Sequence, residues 1–153
     1  MEKKIVGFHV DDLGDWVADL ECGHRQHVRH NPPWINRPWV LDDAGRESML
    51  GQVLNCKKCN MPAIPGNAKR VTCSPLFDQQ MLQQQCSGPQ ENASDCWIEL
   101  VVSQGELVYQ RHTDHVEGYV IDPEFSAVIP PGTGYTLIPK GDVQMCFHYY
   151  EEQ

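Results

Sequence analysis

Apolar and polar residues alternate along much of this chain, and that period-of-two pattern predicts strands. Residues 5–9 read as a short strand, 11–15 as a turn, and 16–22 as the partner strand, with Trp16, Ala18 and Leu20 alternating against Val17 and Asp19. Gly23 permits a tight reversal, and residues 25–29 leave it as a third strand. Arg25, His27 and Arg29 share one face of that strand, opposite Gln26, Val28 and His30. A stretch stiffened by Pro32, Pro33 and Pro38 follows; it carries Trp34 and Trp39 and cannot continue a helix or a central strand. Asp42 or Asp43 is placed to cap a short helix over 44–50 with Gly51 as its stop, and residues 53–55 resume extended structure.

The pattern lapses over residues 61–70, where Pro62, Pro65 and Gly66 fall close together, and the composition changes after it. The expectation is a domain over 1–60, a linker over 61–70 and a second domain over 71–153. In the second domain, residues 78–85 form a glutamine-rich helix and 87–95 a polar loop. From Trp97 onward short strands recur over 97–102, 107–111, 118–121, 127–129, 135–138 and 143–149, with a turn at 103–106. Such spacing predicts a small β-sandwich or barrel.

Composition changes this picture little. With 41% hydrophobic and 22% charged residues, 11 Pro and 12 Gly, the chain suits a globular protein with many turns. No run approaches the roughly 18 apolar residues of a membrane span, and Met1-Glu2-Lys3-Lys4 is followed by no signal-like apolar core, so no membrane partner and a cytoplasmic location are expected. Charge divides the halves. Residues 1–60 hold eight Lys and Arg against nine Asp and Glu, while residues 61–153 hold four against twelve. An acidic second half repels phosphate backbones and argues against nucleic-acid binding; the first half could still meet an acidic partner through Arg25, Arg29 and Arg37.

The chemistry is concentrated in the first half. Cys22, His24, His27 and His30 fall within nine residues, and Cys56-Lys57-Lys58-Cys59 supplies a thiol pair at knuckle spacing. Three thiolates and one imidazole from Cys22, His24, Cys56 and Cys59 would make a closed, tetrahedral, structural zinc site, one ion in the N-terminal domain. Cys22-Gly23-His24 has a single residue between ligands, so His27 or His30 can stand in for His24. The seven cysteines leave an odd count, which a pure disulfide framework would not, and Cys73, Cys86, Cys96 and Cys146 remain as free thiols. Trp34 and Trp39 beside Arg29 and Arg37 form a partner-binding platform on one reading; on the other the rings plug a domain too small to build a core without them, which their burial payload favours.

The first half resembles a small family of unknown function, sometimes labelled pressure-regulated proteins. The resemblance rests on Gly14-Asp15-Trp16, Glu21-Cys22-Gly23-His24, Gln26-His27-Val28-Arg29-His30, Pro32-Pro33-Trp34, Arg37-Pro38-Trp39 and the Cys56–Cys59 pair. It implies a zinc-binding module. The second half resembles the small cupin-type domain of tellurite-resistance proteins, in Trp97, Gly105-Glu106-Leu107-Val108-Tyr109 and Ile129-Pro130-Pro131-Gly132. It departs where that family carries two histidines: here Cys86 stands in the first region and Gly134-Tyr135-Thr136 in the second.

The fold class expected is therefore mainly β with little helix: a zinc-ribbon-like knuckle domain followed by a small cupin-like barrel or sandwich. The function expected is a non-catalytic, two-domain zinc-binding protein, an accessory module for a small ligand or a protein partner in a stress-related role. Its ligand would meet Tyr109, Tyr135 or His148. A metalloenzyme is one alternative, working through His27 or His30, or through a cupin metal rebuilt from His112, His115 and His148. A redox switch at Cys56 and Cys59 is the other, although no βαβ pattern surrounds the pair.

Overall fold

The structure is a computed structural model of the 153-residue chain, and it describes every residue except Leu13, Asn31 and Trp34. It is mainly β, as the alternation predicts, and divides into two compact units, Met1–Asn60 and Met61–Gln153.

The first unit is built on one central strand. β1 (Glu2–Val10) pairs antiparallel on one side with β2 (Trp16–Leu20) and on the other with β4 (Val53–Asn55), and β2 carries β3 (Arg25–His27) outward, giving the order β3-β2-β1-β4. The registers place Ile5 opposite Leu20 and Glu2 opposite Asn55. The segments that follow β2 and β4 therefore emerge on either side of the same end of β1. Between β3 and β4 lie a 3-10 turn, Pro38–Leu41, and α1 (Asp43–Ser48). The side chain of Asp42 caps α1 by accepting the Gly45 N–H at 2.6 Å. Gly51 ends the segment with a φ of 85°, the left-handed conformation expected of a glycine stop.

The core of this unit is small. Ile5, Ala18, Leu20, Val28, Val40 and Cys56 are buried, with Phe8, Trp16, Trp39, Met49 and Leu54 packed partly against them. Trp39 lies against Phe8, ring centroids 5.8 Å apart, and is half-buried. Arg46 of α1 closes the set: its guanidinium sits 3.7 Å from the Trp16 ring centroid, donates to the Val40 carbonyl at 2.6 Å and pairs with Asp43.

The second unit has two antiparallel sheets. One has the order β10-β9-β12-β7, from β7 (Gln90–Glu91), β9 (Leu107–His112), β10 (Val116–Ile121) and β12 (Gly134–Pro139). The other has the order β11-β8-β13-β5, from β5 (Ala68–Cys73), β8 (Trp97–Gln104), β11 (Ala127–Ile129) and β13 (Gln144–Glu152), with β6 (Phe77–Asp78) also on β13. Alternate residues of both sheets enter one core: Ile98, Leu100 and Val102 of β8, Leu107 and Tyr109 of β9, Met145 and Phe147 of β13. This is the small two-sheet β domain expected. α2 (Gln79–Gln85), capped by Asp78, adds Leu82 to that core. Gly105 makes the β8–β9 turn at a φ of 77°, where a Cβ would also run into the Asp142 carbonyl oxygen.

Three strands lay outside the sequence reading. Residues 61–70, expected as linker, include the first half of β5, which pairs with β13 from Glu152 back to His148. β6 and β7 are two-residue strands, β7 lying within the expected polar loop. β5 is an edge strand with five of its six residues exposed, so no buried face imprints an alternation on its sequence.

Candidate metal centre

Cys22 and His24 sit in the β2–β3 turn, where the Leu20 N–H donates to the His24 carbonyl at 3.0 Å and the Gly23 N–H to the Leu20 carbonyl at 2.9 Å. Gly23 takes a φ of 84°, which a side chain would resist. Cys56 follows β4 directly, with its N–H on the Met1 carbonyl at 2.7 Å, and Cys59 lies in the 3-10 turn Lys57–Asn60. Because β1 pairs with both β2 and β4, the two turns flank its first residues. Cys22, His24, Cys56 and Cys59 converge there, with one ligating atom of each inside 4.8 Å of the rest.

The distances within the cluster are informative. Cys22 Sγ, Cys56 Sγ and Cys59 Sγ lie 3.5, 3.5 and 3.3 Å from the single Nδ1 of His24, and Cys22 Sγ lies 3.8 Å from Cys56 Sγ. One ring nitrogen cannot share hydrogen bonds with three thiols at once. These are instead the edges of a tetrahedron: with metal–sulfur bonds of about 2.3 Å and metal–nitrogen bonds of about 2.0 Å, the S···S edge is about 3.8 Å and the S···N edge about 3.5 Å. The residues present thus fit a four-coordinate metal ion, with Cys56 buried and the other three half-buried.

The electrostatics point the same way. Burial pushes the Cys59 thiol up, hydrogen bonding and charge from Cys22 and Cys56 add to it, and its pKa is pushed up to about 11. Burial also raises Cys22, but the His24 N–H, the Cys59 and Cys56 thiols and its own N–H outweigh it and leave Cys22 below the ordinary thiol value. Close thiols of this kind resist ionising together unless a cation takes the place of their protons.

The remaining histidines of the motif are occupied elsewhere. His27 Nε2 is 2.9 Å from Asp11 Oδ2, and His30 Nδ1 accepts the Arg37 N–H at 3.0 Å, tying the proline-rich segment back to the strand end. Neither joins the four-residue cluster. Arg29 is paired with Asp15 at 3.3 Å, and Trp39 is packed against the core; Trp34 lies outside the described residues. Arg37 is half-buried.

In the second unit the structure separates residues that the sequence reading grouped. Tyr109 and Tyr135 are core residues with ring centroids 6.4 Å apart, whereas His148 lies on the opposite face of β13 from Phe147, with Nε2 3.4 Å from Cys146 Sγ. His112 Nε2 is 2.9 Å from Thr136 Oγ1 and His115 Nε2 is 2.8 Å from Glu117 Oε1, so the three histidines proposed to rebuild a cupin metal have three different partners. Sequence reasoning missed Glu117. Its carboxylate takes bonds from Tyr119, His115 and Arg111, which together hold its pKa at about 2. Arg111 and Glu117 carry opposite charges but stand across from each other only in the β9–β10 register, so no local pattern marked the pair.

Residues 6–63 match the model of a family described only as a protein of unknown function, DUF3565. No curated protein matches the chain. Among solved structures, a protein from E. coli strain K12 is similar at 17% identity and a TM-score of 0.55, over 61% of this chain and 99% of its own. TehB from Haemophilus influenzae is similar at 16% identity and a TM-score of 0.52, over 57% of this chain and 32% of its own, so this chain spans about a third of that protein. Both likenesses concern the fold, and each covers more of the chain than Met1–Asn60 could supply. No helix is long and apolar enough to cross a membrane among the described residues.

Proposed function

We propose that the first unit is a structural zinc module, and that the chain works as a non-catalytic, two-unit accessory protein whose second unit takes a small ligand. The observation that carries the zinc reading is the match between the Cys22, His24, Cys56 and Cys59 separations and the edges of a zinc–sulfur–nitrogen tetrahedron. Three thiolates and an imidazole fill four positions. A closed set keeps none open for water or substrate, which is the arrangement of a structural rather than a catalytic ion. His27 and His30, the histidines that could have worked beside the metal, are held by Asp11 and the Arg37 N–H. The accessory role of the second unit draws on the chain's fold likeness to TehB and on the Tyr109 hydroxyl, which is buried among Tyr119 and Tyr135 with no hydrogen-bond partner among the described residues and so leaves a polar group in the interior for a ligand to meet.

Element-resolved mass spectrometry of the purified chain tests the zinc reading. The expected result is zinc that a strong chelator removes only together with the folded structure of residues 1–60, since binding free energy is then folding free energy. A metal-free first unit that keeps its fold would contradict it.

A further inference from the structure

The outer face of the second sheet repeats the chemistry of the first centre in different surroundings. Cys146-Phe147-His148 has the same one-residue spacing as Cys22-Gly23-His24, but here it lies on a strand, where residues two apart point the same way. Met145 and Phe147 enter the core, so Cys146 and His148 face outward. The registers then bring two more groups to that face. His148 stands opposite Cys73 of β5 on one side and Glu99 of β8 on the other, and directly opposed residues share a face with side chains about 5 Å apart.

We propose that Cys73, Cys146 and His148 form a second, exchangeable site for a zinc-class divalent cation, with Glu99 beside it. Cys146 Sγ already lies 3.4 Å from His148 Nε2, against an expected edge of about 3.5 Å for ligands sharing one tetrahedral ion. Cys73 is exposed, and a single side-chain torsion sets where its thiol points. Glu99 stands opposite His148 in the β8–β13 register, and its Oε2 accepts the Tyr150 hydroxyl at 3.0 Å, so an oxygen ligand or a partner for a bound water lies on the same face. Exposed cysteine on a sheet edge is otherwise a poor choice, because the residue is ordinarily buried and is present on a surface for its reactivity. Unlike the first centre, this one adds little to folding, since the sheet beneath it has its own core. An ion here would therefore come and go without unfolding the unit.

The test is the number of ions bound by the full-length, reduced protein titrated with zinc or cobalt(II), read by native mass spectrometry and by the thiolate–cobalt absorption. The expected result is two ions per chain, the second lost to a mild chelator with the fold of residues 61–153 intact. Cys73→Ser, Cys146→Ser and His148→Gln should each weaken the second ion about a hundredfold or more, beyond the effect of losing an outer-shell partner, and spare the first. Cys59→Ser should lose the first ion and keep the second, which separates this proposal from the reading of the first unit. A single ion per wild-type chain, or a second ion that survives in the Cys73→Ser/Cys146→Ser double variant, would overturn it.

Discussion

The two units solve the same problem with unequal means. In Met61–Gln153, 15 residues, all but Val143 from two sheets and a helix, form one buried cluster; in Met1–Asn60 the corresponding cluster among the described residues has six, one of which is Cys56. Surface-to-volume scaling explains why this matters: at about 60 residues a chain buries too little apolar area to offset its conformational entropy comfortably, and small domains are commonly stapled by metals or disulfides. The first unit brings two turns together at one end of β1, where Cys22, His24, Cys56 and Cys59 could hold a metal ion. The second, with its larger interior, does without such a clamp. On the proposed reading, β-rich architecture rests on coordination in one part of this chain and on packing in another.

The sharpest way to break this comparison is to remove a ligand. Cys59→Ser should abolish amide-exchange protection across residues 1–60 while leaving that of 61–153 unchanged, because a structural zinc site contributes on the order of 10 kcal/mol of apparent folding free energy. Retained protection in the first unit would show that its six-residue core suffices. The converse change is Leu100→Ala, which empties part of the second core; it should cost about 2–5 kcal/mol, lower the melting of that unit, and be indifferent to chelator.

Glu117 sharpens the contrast through pH. Its pKa is depressed to about 2 in the folded state, so the stabilisation it gives is present above the ordinary carboxylate value of 4.5 and is lost as pH falls through the folded value. Glu117→Gln should destabilise the second unit by roughly 2 kcal/mol at neutral pH, in the range for hydrogen bonds to charged groups, with the gap to wild type closing between pH 4.5 and about 2 in acid-unfolding curves. With its proposed metal bound, the first unit should respond to acid by another route, since protons compete with a metal for thiolate. The smallest effects belong to the helix caps: Asp42→Ala in the first unit and Asp78→Ala in the second should each cost about 1 kcal/mol by thermal denaturation, the first measurable only with metal bound.

Much of the architecture can be read locally. The helix caps at Asp42 and Asp78, the strands Val53–Asn55 and Ala127–Ile129, and the glycine turns at Gly23 and Gly105 all follow from patterns within a few residues. The strand Ala68–Cys73 does not, because it is hydrogen-bonded to Gln144–Glu152, more than 70 residues later, and most of it faces solvent. Glu117 escaped notice for a related reason: a lone acidic residue signals nothing until the β9–β10 register sets Arg111 across from it.

By itself, the sequence determined the ligand types, the one- and two-residue spacings, and the alternation that makes the chain mainly β, since spacing and period are local properties of a polymer. Which histidine completes the cluster was decided only in three dimensions. The turn at Gly23 aims His24 Nδ1 at the three thiols, and the strand that follows carries His27 to Asp11 and leaves His30 to the Arg37 N–H. The pairing of β1 with both β2 and β4 brings the two turns together across more than 30 residues, and no local pattern carries that information, because strand pairing is a contact between distant parts of the chain.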